Sequence, residues 1–114
     1  MISFNEYQEK ARSLAAYPEL GHGLLYPALG LAGEAGETVD KIKKIWRNTG
    51  VKDGHAYTPE QKEAVKLEAS DCLWYLANLC SELDLTLEEV AEANLAKLFD
   101  RQKRGVLKSE GDKR

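Results

Sequence analysis

An all-α fold, a four-helix bundle, follows from three features of the sequence. Apolar residues recur at helical three-to-four spacing, while no Val/Ile/Thr run alternates at period two. Gly and Pro fall at the joints between the periodic segments. Ser, Thr and Pro start signals precede those segments.

Ser3 with Glu6 forms a capping-box pattern that opens a first helix, expected to end near Tyr17 and Pro18. Glu19 to Gly23 then reads as a turn. Pro27 suits the first turn of a second helix, which runs through Trp46 and stops at Asn48, Thr49 and Gly50, residues that tolerate a left-handed cap. Val51 to Tyr57 is a polar loop. Thr58, Pro59 and Gln61 supply an N-cap, a Pro at the first helical position and a capping partner, predicting a third helix over Pro59 to Leu83. Thr86 and Glu89 repeat the device for a fourth helix to Arg104, with Gly105 as its stop. Residues 1–107 are expected to form one helical domain, and the polar remainder, 108–114, a frayed tail.

A chain of 114 residues fits a single core. Its 16 Lys plus Arg and 19 Asp plus Glu give a net charge of −3, so no basic excess favours a phosphate backbone, and nucleic acid is not expected as a partner. No apolar run is long enough to span a bilayer and no secretory signal pattern opens the chain, so no membrane partner and a cytoplasmic location are expected. Cys72 and Cys80 would lie about 12 Å apart on one helix, too far to bridge, and both read as reduced core thiols.

On the second helix Ala28, Leu31, Ala35, Val39, Ile42 and Trp46 share one apolar face, expected to meet the core. Gly30, Glu34, Glu37, Lys41 and Lys44 share a neighbouring stripe. Gly30, Gly33 and Gly36 each cost about 0.8–1 kcal/mol relative to Ala in a helix interior, so a neighbouring helix or a ligand is expected to approach the bare backbone. The third helix is apolar almost all round and should be largely buried. Glu68 and Asp71 stand three residues apart in its middle and, if desolvated, need a cation.

Two such pairs on antiparallel helices can bring four carboxylates together, an oxygen-rich set suited to Mg²⁺ or Mn²⁺. A di-iron site would need Glu-x-x-His on each of two helices. Only Glu19 and His22 have that spacing, and Pro18, Gly21 and Gly23 put them in a turn. On the fourth helix Leu87, Ala91, Leu95 and Leu98 form a core stripe, with Asn94, Lys97 and Arg101 beside it. Lysines and arginines in such a stripe are most often a solvated face. Next to a carboxylate-bound metal they would clamp phosphates.

Three ordered elements carry a resemblance: Glu34-x-x-Glu37 within Gly30 to Glu37, Glu68-x-x-Asp71 within Glu68 to Tyr75, and Asn94-x-x-Lys97-x-x-x-Arg101. In these the chain resembles the MazG-like all-α nucleoside triphosphate pyrophosphohydrolases, with a long spacer of 30 residues between Glu37 and Glu68. The resemblance implies Mg²⁺-dependent cleavage of an NTP or dNTP between its α- and β-phosphates, a house-cleaning or pool-control reaction. It implies Glu34, Glu37, Glu68 and Asp71 as metal ligands, with Glu37 or Glu34 also acting on the attacking water. Lys97 and Arg101 would hold phosphates, and Asn94 would contact the nucleotide. Lys41, Lys44 and Trp46 are further candidates for substrate contact; Tyr26, Trp74, Tyr75 and His22 are aromatic candidates for base stacking, although such residues are more often core. The resemblance also implies a homodimer or homotetramer. A narrower deoxynucleotide or phosphoribosyl-nucleotide hydrolase is a variant within the class. A different class, a non-catalytic helical oligomerisation or regulatory module, would pair the carboxylates with lysines such as Lys41 and Lys44.

Overall fold

The computed structural model describes residues 1–105; the predicted tail at 108–114 lies outside the described residues. The described residues form four helices and no strand: α1 (Phe4–Ser13), α2 (Leu25–Thr49), α3 (Pro59–Glu82) and α4 (Leu87–Arg104), with a short 3₁₀ turn at Gly54–Ala56. The predicted all-α class holds. Among the described residues no helix is long and apolar enough to cross a membrane.

Local chemistry sets most helix ends. The Ser3 hydroxyl accepts from the Glu6 amide at 3.1 Å. Thr58 and Gln61 form a reciprocal capping box, with bonds of 3.1 and 2.9 Å, and Thr86 with Glu89 forms another, at 3.0 and 2.9 Å. Gly50 and Gly105 close α2 and α4 at φ 75° and 74°, left-handed conformations that cost glycine nothing. α1 stops at Ser13, short of the predicted Tyr17. Leu14 and Ala15 tighten its last turn with bonds to the carbonyls of Ala11 and Arg12, and Pro18 disfavours helix at Tyr17.

α2 and α3 are the main packed pair, antiparallel, with Gly30 against Tyr75 and Thr38 Oγ1 3.7 Å from the Cys72 thiol. α1 crosses the far end of α3, where Gln8 donates to Ser81 and Arg12 to Asn78 and Glu82. The core is therefore at that end: Ala11, Ala77, Cys80 and Leu87, ringed by Tyr7, Leu73, Trp74, Leu76 and Val90. Cys80 lies in it and Cys72 is half-buried, both as free thiols. α4 starts from this core and packs on α1 and only slightly on α3, with at most a glancing contact to α2. One chain thus leaves the bundle open along α2.

That openness overturns two expectations of burial. The α2 face expected to meet the core is turned outward: Val39 is 65% exposed, Trp46 51% and Ile42 41%, Ala28 and Ala35 are exposed, and only Leu31 is half-buried. The face turned to α3 is instead the one carrying Pro27, Gly30, Glu34, Thr38, Lys41 and Ile45. α3 is not buried throughout either: Leu67 is 57% exposed, and only Ala77, Asn78 and Cys80 are fully buried. In the α4 stripe Leu87 is buried and Leu98 half-buried, but Leu95 is exposed.

Candidate metal centre

Glu34 stands one turn C-terminal to Gly30 on the α3-facing side of α2. Antiparallel pairing brings it opposite Glu68 and Asp71, which share a side of α3 because they are three residues apart. One carboxylate oxygen from each of Glu34, Glu68 and Asp71 lies within 4.8 Å of the others. Glu34 and Glu68 are half-buried, while Asp71 is exposed at the rim, contrary to the burial expected from its apolar neighbours in sequence. Partial burial, and then the charges of Asp71, Glu68 and Glu37 in that order, hold the Glu34 carboxyl above the usual carboxylate range. Each of these influences disfavours the anion, and a divalent cation among the three oxygens would reverse the balance. The donor set consists of hard carboxylate oxygens, which suits Mg²⁺ or Mn²⁺.

Glu37, the fourth predicted carboxylate, is exposed and lies outside this trio, close enough to act on Glu34 electrostatically. Lys41 is half-buried on the same flank of α2. Lys44 is engaged by Asp40 at 2.7 Å, as Lys43 is at 2.8 Å, and these two ammonium groups lower the Asp40 carboxyl to about 2. Asp40 was not singled out from the sequence, although its spacing to Lys43 and Lys44 is a helix-pair signal. Trp46 stands at the far end of α2 with the Lys52 ammonium 5.7 Å from its ring centre. On α4, Asn94 and Lys97 are exposed and Arg101 is buried.

The three helical glycines separate. A Cβ at Gly30 would sit 2.2 Å from the Tyr75 ring, so close helix packing accounts for that glycine. Gly33 and Gly36 have nothing within 4 Å of the corresponding point. The Tyr75 ring on Gly30 continues into an aromatic cluster: Tyr75 is 6.4 Å from Tyr26, which stacks on Tyr17 at 5.3 Å and 6°. Trp74 meets Tyr17 and Tyr75 edge-on.

Sequence reasoning missed the polar anchor beside this cluster. Glu82 accepts from Arg12 at 2.9 Å, from the Gly21 amide at 3.0 Å and from the Tyr17 hydroxyl. Hydrogen bonds from Tyr17, then from Gly21 and Arg12, lower its carboxyl to about 2 against the cost of burial. Arg12 also donates to the buried Asn78, whose amide returns to the Trp74 carbonyl at 3.1 Å. These partners come from α1, the following turn and α3, so no local spacing could have announced them.

The family model of the MazG nucleotide pyrophosphohydrolase domain matches residues 25–106, a span that includes every carboxylate of the site. The chain is also 42% identical over 113 residues to the Gene 37 protein of Mycobacterium phage L5, covering 95% of this chain and 96% of that protein. No solved structure matches it significantly.

Proposed function

Because the chain belongs to the MazG nucleotide pyrophosphohydrolase domain family, we propose that it hydrolyses a nucleoside triphosphate between the α- and β-phosphates, giving the monophosphate and pyrophosphate. The convergence of Glu34, Glu68 and Asp71 carries this reading. Those three carboxylates would hold Mg²⁺, which when bound polarises phosphate oxygens and acidifies water. Glu37, one turn from Glu34 and outside the trio, would take a proton from the water that attacks the α-phosphorus. A water oxygen bonds to that phosphorus as its bond to the α–β bridging oxygen breaks, and pyrophosphate leaves with the electron pair. Lys41 on α2, and Asn94, Lys97 and Arg101 on α4, are the proposed phosphate contacts. A cytoplasmic nucleotide pool is the expected source of substrate.

Product analysis with a panel of NTPs and dNTPs tests the reaction. Monophosphate and pyrophosphate should appear with Mg²⁺ and vanish with chelator. Glu34→Gln and Asp71→Asn should each lower turnover by a factor of about 10² or more, with helicity by circular dichroism unchanged. Full turnover by either folded variant, or release of diphosphate and phosphate, would overturn the assignment.

We also propose that the working form is a homodimer or a dimer of dimers built on α2. Leu25, Leu29, Ala32, Gly36 and Val39 follow the alternating four-three spacing of a coiled-coil seam. All five are exposed, and Gly36 offers open backbone for close helix approach. A solvated apolar stripe of this length is the mark of a surface that another chain covers.

A further inference from the structure

The turn between α1 and α2 forms a small pocket with a volume of about 210 Å³, bounded by Pro18, Glu19, Gly23, Leu25, Tyr26 and Leu29. That is below the range of sites that enclose a whole drug-sized ligand, and it suits one planar ring system. Tyr26 gives it an aromatic wall. The residue is 44% exposed, and its ring is held in orientation by the parallel stack on Tyr17.

Among the described residues Glu19 is the one charged group that lines the pocket. It adopts φ 60°, a left-handed conformation that costs a non-glycine residue about 1–2 kcal/mol. Two bonds to one buried carboxylate hold it there: Glu82 takes the Tyr17 hydroxyl on one side of Glu19 and the Gly21 amide on the other. Between these anchors the Glu19 carbonyl accepts from the His22 amide at 2.9 Å. The Glu19 carboxylate lies over Gly23, where an added Cβ would come within 3.3 Å of Oε2. The strained residue is thus carried on a turn pinned to α3, with its carboxylate at the pocket.

The pocket also has a fixed relation to the carboxylate trio. Tyr26, Gly30 and Glu34 succeed one another at four-residue intervals along one flank of α2. The run from Tyr26 to Glu34 is about 12 Å of helix, a distance that a nucleotide can bridge between its base and its phosphates.

A carboxylate accepts hydrogen bonds and donates none. It pairs with the exocyclic amine of cytosine or adenine, or with the adjacent N–H groups of guanine, whereas uracil and thymine flank their single N–H with two carbonyl oxygens. We propose that Glu19, with the base laid on Tyr26, is the specificity-determining residue of this site and selects nucleotides whose base carries an exocyclic amine. This rests on the pyrophosphohydrolase reading above.

The test compares kcat/KM for CTP, ATP and GTP with that for UTP and dTTP, on the full chain with Mg²⁺, in wild type and Glu19→Gln. At least one amine-bearing base should exceed both others by about tenfold or more in wild type. Glu19→Gln should shrink the ratio to within about twofold, because its amide can also donate to a carbonyl. Glu19→Gly, which removes the carboxylate and relieves the backbone, should also lose the preference. Turnover with an equal ratio in wild type and Glu19→Gln, or a wild-type preference for uracil or thymine, overturns the proposal and leaves the hydrolase reading intact. Calorimetric binding of CMP, AMP, GMP and UMP decides the case in which nothing is hydrolysed. Tighter binding of an amine-bearing monophosphate that Glu19→Gln abolishes supports the role of Glu19, and equal binding of all four overturns it.

Discussion

A carboxylate withdrawn from water is costly unless donors replace the solvent, and Glu82 receives three of them, from Arg12, Tyr17 and Gly21. Its side chain is 2% exposed. Because its folded-state value, about 2, lies below the ordinary 4.5, the linked stability is fully present above pH 4.5 and is lost as the pH falls from there toward 2. A shift of that size corresponds to about 3 kcal/mol. Glu82→Gln should therefore cost about 2–3 kcal/mol in denaturant unfolding at pH 7, and the difference from wild type should narrow steadily below pH 4.5. A difference that stays constant across that range would mean that Glu82 acts through packing and not through its charge. The same variant should loosen the turn that carries Glu19, which links a stability residue to the pocket. Nothing in the sequence flags Glu82, because an Asp or Glu near a helix end is ordinary there and its partners become neighbours only after folding.

The glycines of α2 show how a helix can serve packing and exposure at once. Gly30→Ala would drive a methyl into the Tyr75 ring and should destabilise the fold by about 1–3 kcal/mol. Gly33→Ala meets open space and should stabilise it by about 0.8–1 kcal/mol. Paired denaturant titrations check both signs, and an equal loss at the two positions would show that some further group covers Gly33. Helix ends were legible in the sequence because a cap depends on residues within one turn, as at Thr58 with Gln61 and Thr86 with Glu89. Which side of α2 faces its own chain was not. Periodicity reveals an apolar stripe through Val39 and Trp46 but not what covers it, and here the polar flank with Glu34 takes the α3 contact. The proximity of Glu34, Glu68 and Asp71 was legible because helix spacing and antiparallel pairing suffice to meet it. The positions of Lys97 and Arg101 depend on the course of α4, which local signals do not fix.

For the molecule as a whole, the uncovered stripe on α2 joins the proposed assembly to the proposed chemistry. Leu25 and Leu29 are the first two residues of the seam and also wall the pocket beside Glu19. A second copy laid on α2 would therefore close the open side of that pocket, excluding water from a base stacked on Tyr26. Val39 separates the two roles. It is 65% exposed, lies roughly 140° round the helix from Glu34, and takes no part in the pocket. Val39→Glu should convert the assembly to monomer in sedimentation velocity, since a buried, unpaired carboxylate at a helix seam costs several kcal/mol. If closure by the second copy matters, the variant should also lose kcat/KM for every nucleotide by a common factor, and wild-type specific activity should fall on dilution along the same curve as the assembly. An assembly that survives Val39→Glu would place the contact on another face. A monomer with full activity would show instead that each pocket is complete within one chain.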